Sequence, residues 1–167
     1  RLWIFLVIIL ILIIAVYFIY FRQTGQKGET VVLKNPVFGL SDEEAVAKFN
    51  ESFVLYLLYS IGVNELHNAP LSSSKPEIQI YVDENAYLAD VEDNNIRVWK
   101  GKTDEMDITI NTDSREAVKM LRDRNYISES FSSGKSGIEL VSGKAELFAK
   151  GYLGLYSKLT GKNANVG

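Results

Sequence analysis

The chain has 167 residues, no cysteine and a formal net charge of −3, with a sequence isoelectric point of about 5.3. The lack of thiols excludes cysteine nucleophiles, disulfides and thiolate metal sites, and the acidic balance offers no basic surface for nucleic acid. Once the first apolar segment is set aside, the remainder has the length of one domain with a single core.

Residues 2–21 are the most hydrophobic stretch, and they contain no charge, no Gly and no Pro. A helix of this length rises about 30 Å, which matches the hydrocarbon layer of a bilayer. The stretch exceeds the core of a signal peptide, about 7–15 residues, and no small-x-small cleavage site follows it. The sequence therefore predicts a single transmembrane anchor over residues 1–22, which contacts membrane lipid through Trp3, Phe5, Ile9, Leu12, Val16, Tyr17 and Tyr20.

The side of the membrane that holds the remaining chain is left open by the flanking charges. Arg1 stands before the anchor, whereas Arg22, Lys27 and Lys34 follow it, which by itself favours a cytoplasmic domain. Short amino-terminal anchors commonly hold external domains, and the expectation leans towards an extracytoplasmic location.

Residues 23–40 are predicted as a polar tether followed by a short extended segment. A helix is predicted next, because Ser41 and Glu44 have the spacing of a capping box. Its apolar residues recur at three- and four-residue steps as far as Ile61, and its second half is apolar nearly all round. Such a helix is buried on more than one side or lines a cavity.

A meander of strands is predicted after a loop that holds the only histidine, His67, which is expected at the surface. Ile78, Ile80 and Val82 should point inwards, because they alternate with polar residues. The acidic residues in the connections do not have the spacing of a calcium loop, so no metal site is predicted. The strands are expected at residues 77–82, 86–91, 96–100 and 106–110.

The last third of the chain predicts two further helices, over residues 114–122 and 144–159, and a strand over residues 138–141. Asp113 should cap the first of these helices, with the Glu116 carboxylate returning to complete a capping box. Gly151 and Gly154 interrupt the last helix, which indicates close approach by backbone or ligand, or a kink. Residues 161–167 are predicted as a tail.

This order of elements resembles the sterol carrier protein type two family. The strongest local match runs from Met106 to Gly143 and contains Asp107-Ile108-Thr109-Ile110, a short capped helix, and Ser133-Gly134-Lys135 before a strand. The resemblance covers the predicted domain, residues 41–160. It implies an α+β domain whose helices cover a five-stranded sheet, here expected to be antiparallel, and enclose an apolar tunnel for sterols, fatty acyl chains or isoprenoids.

If the tunnel is present, aromatic and aliphatic residues of the first and last helices are candidates to line it. The same stripes are typical of a packed core, and both interpretations stay open. The candidate ligand-binding residues are Phe49, Phe53, Tyr56, Leu57, Phe148, Tyr152 and Tyr156.

The function expected from these features is a membrane-anchored, non-enzymatic domain that binds lipid or isoprenoid without a cofactor. The alternative is a structural subunit of a membrane complex or cell-surface filament, assembled as a homo-oligomer or with other membrane subunits through the amino-terminal helix. An enzyme ranks last, because the sequence contains no recognisable nucleophile and base pair, metal cluster or phosphate-binding loop.

Overall fold

The computed structural model describes residues 33–164. The predicted anchor over residues 1–22, with its lipid-contacting side chains from Trp3 to Tyr20, lies outside the described residues, as do residues 23–32 of the tether and 165–167 of the tail. Within residues 33–164, none of the helices has the length and apolar character needed to span a bilayer.

The described residues form an α+β fold with five strands and six α-helices, as the sequence predicts at the level of fold class. A short 3-10 helix, Val63–Glu65, follows the second α-helix. The helices are α1 (Asp42–Ala47), α2 (Glu51–Ile61), α3 (Ser114–Arg122), α4 (Tyr126–Ser132), α5 (Lys144–Ala149) and α6 (Tyr152–Thr160). The strands are β1 (Glu77–Val82), β2 (Asn85–Glu92), β3 (Asn95–Lys100), β4 (Ile108–Thr112) and β5 (Gly137–Leu140).

The sheet is mixed, so the prediction of a purely antiparallel meander is wrong. Its strand order is β3-β2-β1-β4-β5, in which β1 and β4 are parallel neighbours. The β3–β4 connection is not a hairpin, because β4 pairs with β1 and not with β3. Its Gly101 carbonyl accepts from Gln79 Nε2, and its Thr103 N–H donates to Gln79 Oε1. The chain therefore passes over β1 before β4 pairs on the far side of that strand.

The two faces of the sheet differ in their covering. Ile78, Ile80 and Val82 are buried, as predicted, in a core that also contains side chains of α2, α3, α4 and α6. Gln79 points to the opposite face by the alternation of a strand, and it is buried there under the β3–β4 connection. The helices thus cover the face that carries the isoleucines.

The long helix predicted from Ser41 to Ile61 is two helices, and the structure corrects that prediction. Asn50 has extended backbone angles and accepts a hydrogen bond from Ser52 N at 2.9 Å, which starts α2 as an N-cap. Asparagine competes with helix continuation in this way because its side chain replaces a backbone acceptor. The break separates α1 from α2.

The last helix is also divided, at Gly151, which adopts a φ of +91°. A β-carbon at Gly151 would lie 3.6 Å from Leu66 Cδ2, an ordinary van der Waals distance, so of the two predicted alternatives the structure shows the kink. Gly154, in contrast, faces open space. The division shifts the apolar faces of α5 and α6 relative to one continuous helix.

Candidate ligand-binding site

Capping interactions fix the starts of α1 and α3. Ser41 Oγ accepts from Glu44 N at 3.2 Å and Ser41 N donates to Glu44 Oε2 at 2.8 Å, which confirms the predicted capping box. At α3, Asp113 Oδ1 accepts from Glu116 N at 2.7 Å. The Glu116 carboxylate does not return to the cap as predicted, because it accepts from Tyr126 Oη at 2.5 Å instead.

The end of α3 holds α1 beside it. Arg122 Nε donates to Asp42 Oδ1 at 2.5 Å, and a second guanidinium nitrogen donates to the Leu40 carbonyl at 2.7 Å. Asn35 Nδ2 donates to the Leu121 carbonyl at 2.9 Å and fixes the preceding segment to the same end of α3. These contacts bind the start of α1 to the last turn of α3.

A groove of about 490 Å³ lies between α1 and α3. This volume falls within the range of small-molecule sites, about 300–1,000 Å³. Val46, Ala47 and Val118 supply its apolar surface, and charged side chains form its rim. The complete lining, which we name the α1–α3 groove, is Asp42, Glu43, Val46, Ala47, Arg115, Val118 and Lys119.

Arg115 is the cation of this rim that is open to a ligand. Its side chain is exposed and makes no hydrogen bond or ion pair with another residue in 33–164. Lys119 is paired with Glu116 at 3.2 Å, and Arg122 is paired with Asp42. A guanidinium is suited to bind a carboxylate or phosphate oxygen of a ligand.

Glu116, which lies on α3 between the groove residues Arg115 and Lys119, is a buried carboxylate whose pKa is lowered. Its burial acts to raise the pKa, but the hydrogen bonds from Tyr126 and Lys119 and the Lys119 charge outweigh burial. The carboxylate is therefore charged at neutral pH and neutralises Lys119.

The seven predicted ligand-binding residues are divided among three environments. Phe53, Leu57 and Tyr152 are buried in the core. Phe49, Tyr56 and Tyr156 are half-buried against it, and Phe148 is 75% exposed. None of them lines the α1–α3 groove. Their role in ligand binding stays a prediction.

The predicted ligand-binding residues near α2 and those near α6 pack against different elements. Helix α2 packs on β3 and α3, whereas α6 packs on α4 and α5. The Phe49 and Phe53 rings lie 5.1 Å apart between centroids, and Tyr56 Oη accepts from Arg124 at 3.2 Å. Lys158 of α6 instead pairs with the 3-10 helix that follows α2, because its Nζ lies 3.6 Å from Glu65 Oε1.

Tyr152 belongs to a buried polar cluster that the sequence analysis missed. Lys150 and Asp107, 2% and 3% exposed, form an ion pair at 3.0 Å. Tyr152 Oη and Ser142 Oγ donate to the same carboxylate at 3.0 and 2.9 Å. Glu146 also pairs with the ammonium at 2.8 Å. We name Asp107, Ser142, Lys150 and Tyr152 the buried polar cluster.

The carboxylates of Asp107 and Glu146 stabilise the charged form of Lys150. Burial lowers the pKa of Lys150, but the hydrogen bonds and charges of Glu146 and Asp107 outweigh it, and the net pKa is raised. The pKa of Tyr152 is raised far above its usual range by burial and by the Asp107 charge. The cluster is fully hydrogen-bonded, so it joins β1, β4 and α6 rather than offering a free catalytic group.

Other candidates for chemistry have structural roles. His67 is exposed, as predicted, with Nδ1 3.0 Å from the Asn68 carbonyl. Gly134-Lys135-Ser136 lies in a turn, and Ser136 is buried with its Oγ 2.9 Å from Ser130 Oγ. In the part of the chain that the structure describes, no group of three or more His, Asp or Glu side chains is arranged to hold a metal ion.

Neither the protein-family models nor the curated protein sequences contain a match to the chain. Among solved structures, one named "UbiJ-SCP2 Ubiquinone synthesis protein" is similar at 15% identity and a TM-score of 0.35, over 68% of this chain and 87% of that one. Sterol Carrier Protein 2 Like 2 from Aedes aegypti is similar at 16% identity and a TM-score of 0.34, over 60% and 90%. Apo Sterol Carrier Protein 2 from Yarrowia lipolytica is similar at 13% identity and a TM-score of 0.32, over 72% and 88%. These names refer to the family that the element order of this sequence resembles.

Proposed function

We propose that the chain is a membrane-anchored, non-enzymatic domain that binds a lipid or isoprenoid. The observation that carries this proposal is the α1–α3 groove, whose apolar surface and charged rim suit an amphipathic ligand. An acyl or isoprenoid chain would lie against Val46, Ala47 and Val118. Its polar end would meet Arg115.

The apolar contact accounts for affinity and the charged contact for orientation. Removing apolar surface from water is worth about 25 cal/mol per Å², so about 200 Å² of ligand gives a gross gain on the order of 5 kcal/mol. Part of that gain is lost in ordering the ligand. The Arg115 guanidinium then favours an anionic end over an uncharged one.

In this proposal the groove widens for a long ligand by movement of the last turn of α1. It has six residues, and Ala45 is its buried side chain. Its fixed point is the Arg122 contact at its first turn. Outward movement of α1 would give a long ligand access to Phe49 and Phe53, which connects the groove to the ligand-binding residues predicted from the sequence.

The predicted anchor would keep the domain close to its lipid ligand. A domain tethered to a bilayer meets membrane lipid at high local concentration, so modest affinity suffices. The amino-terminal segment provides the membrane attachment in this proposal. The side of the membrane is tested by a protease site inserted after Lys27, whose cleavage in sealed vesicles reports the exposed side.

Photo-crosslinking tests the proposal on the full chain. The protein is reconstituted in nanodiscs with a diazirine fatty acid, irradiated, digested and mapped by mass spectrometry. We expect adducts in α1 and α3 in addition to residues 1–22, with at least a fivefold loss in α1 and α3 for Ala47→Trp. Ala145→Trp, the same change on the six-residue helix α5, should retain them.

Adducts confined to residues 1–22 would contradict the proposal, and equal labelling of wild type and Ala47→Trp would show that the groove is not the site. The alternative function, a structural subunit, stays a prediction. Chemical crosslinking of the intact protein in membranes tests it, since a ladder or a defined partner is expected for an assembly.

A further inference from the structure

The sheet has two edges, formed by β3 and β5, because its strand order is β3-β2-β1-β4-β5. An edge strand presents backbone N–H and C=O groups that can pair with a strand of another chain. Proteins commonly protect such an edge with proline, with charged side chains or with a covering element. The two edges of this sheet are protected only in part.

Ile138 and Leu140 present their backbone groups at the outer edge of β5. Val141 N donates to the Asp107 carbonyl at 2.8 Å, so the residues that alternate with Ile138 and Leu140 are the ones that bond to β4. No residue in 33–164 bonds to the outward backbone groups of Ile138 and Leu140. The strand contains no Pro, Lys or Arg, so this edge is open.

Val98 and Lys100 present their backbone groups at the outer edge of β3. Gly101 N donates to a carbonyl of β2 at 3.0 Å, so the residues that alternate with Val98 and Lys100 bond to β2. Ile96 also faces outwards, but its N–H donates to Tyr59 Oη at 3.2 Å. Helix α2 therefore closes one end of this edge, and the part at Val98 and Lys100 stays open among residues 33–164.

The strand directions make the two edges complementary. β3 runs parallel to β1, and β5 runs antiparallel to it. A second copy that lies beside the first in the same orientation therefore sets its β3 antiparallel to β5 of the first. The helices of both copies then cover the same face of one continuous sheet, which continues with its ordinary twist.

One register of this pairing matches both side-chain polarity and charge. With Ile138 opposite Val98 of the second copy, two apolar side chains meet on the helix-covered face. Glu139, which is exposed and pairs with no cation in 33–164, then lies opposite Arg97 of the second copy. Arg97 pairs with Asp90 in its own chain, and a guanidinium has donors left for a second carboxylate.

The same register gives Trp99 a contact surface. This side chain is 44% exposed, and it would lie opposite Gly137 of the neighbouring copy, which has no side chain to exclude the ring. Pairing β5 with β5 of a second copy would instead bring two Glu139 carboxylates near each other. Pairing β3 with β3 would bring cationic side chains together, so charge favours the pairing of β5 with β3.

We propose that β5 of one copy pairs with β3 of the next, so that the domains form a head-to-tail assembly with a continuous sheet. Such a contact joins two different surfaces and does not close on itself, so it extends to several copies. It lies on the sheet edges rather than in the α1–α3 groove, and it goes beyond the proposed ligand binding.

The absence of cysteine allows a direct crosslinking test. Glu139→Cys and Arg97→Cys are made in separate full chains of distinguishable mass, mixed, reconstituted in phosphatidylcholine vesicles and oxidised. In the proposed register the two positions form a non-hydrogen-bonded pair with Cα atoms about 4.5 Å apart, which a disulfide can span. We expect at least fivefold more heterodimer than either homodimer. Glu84→Cys, in the exposed turn between β1 and β2, replaces Glu139→Cys in the control mixture.

Homodimer yields equal to the heterodimer yield, or a heterodimer yield no higher than in the control mixture, would overturn the inference. A chain that carries both Glu139→Cys and Arg97→Cys should give a ladder beyond the dimer, because its two thiols stand four strand spacings apart, about 19 Å, and cannot pair within one chain. Adding Leu140→Pro, which removes an outward N–H, should shorten that ladder, with circular dichroism to confirm the fold. Dimers alone from the double variant would also overturn the inference.

Discussion

The buried polar cluster and the α1–α3 groove use charge in opposite ways. In the cluster, Asp107 and Lys150 are almost completely buried and every polar side-chain atom has a partner. At the groove, Arg115 faces solvent without a partner among residues 33–164. Buried charge must be satisfied within the protein, whereas an exposed unpaired charge beside apolar surface can be satisfied by a ligand. The cluster thus stabilises the fold, whereas the groove is the site that the proposed function uses.

Asp107→Ala should give the largest effect, because it leaves the Lys150 ammonium buried beside a missing carboxylate. We expect a loss of about 3–5 kcal/mol in the free energy of unfolding. Urea unfolding of the full chain in mild detergent measures it. Asp104→Ala, an exposed carboxylate of the same connection, should change stability by less than about 0.5 kcal/mol. Equal effects for the two would contradict the role of the cluster.

Glu116→Gln should destabilise the protein by about 1.5–3 kcal/mol at neutral pH, since charged hydrogen bonds from Tyr126 and Lys119 are lost. The Glu116 pKa is lowered in the folded state, so its contribution is present above the unfolded pKa of about 4.3 and is lost as pH falls through the lower folded pKa. Unfolding from pH 7 to pH 3 checks this. A wild-type advantage that grows in acid would be incompatible with the assignment.

Gly151→Ala and Gly154→Ala should change stability in opposite directions. Gly151 has φ +91°, and an alanine there costs about 1–2 kcal/mol. Gly154 lies within α6 with open space around it, so alanine should stabilise by about 0.5–1 kcal/mol. Thermal unfolding of both variants in detergent tests the pair, and a shared sign would refute the account of the α5–α6 break.

Sequence patterns predicted helix starts and the inward face of β1 well, because interactions between residues close in sequence determine them. Ser41 with Glu44, Asp113 before α3, and the alternation of Ile78, Ile80 and Val82 depend on neighbours within a few residues, and the structure confirms them. The break before α2 also had a local signal, because Asn50 followed by an acidic first turn is an N-cap pattern. The break was missed because the apolar spacing on both sides of Asn50 favoured one continuous helix.

Long-range pairings were not accessible in the same way. The parallel pairing of β1 and β4 joins strands that are separated in sequence by β2 and β3, and neither strand indicates it by its own pattern. The pairing of Asp107 with Lys150 joins residues 43 positions apart. The α1–α3 groove depends on Arg122 reaching Asp42, 80 positions away, so its lining could not be assembled from helix periodicity.

The central claim is that an acyl chain occupies the α1–α3 groove, and methyl NMR with a nitroxide-labelled fatty acid tests it most directly. The full chain, with labelled valine methyls, is held in nanodiscs and titrated to one equivalent. The account predicts line broadening that is strongest at Val46 and Val118 and weakest at Val91 in the sheet, and that is reduced by Ala47→Trp. Uniform broadening of the valines, or unchanged Val46 and Val118 signals, would contradict the claim.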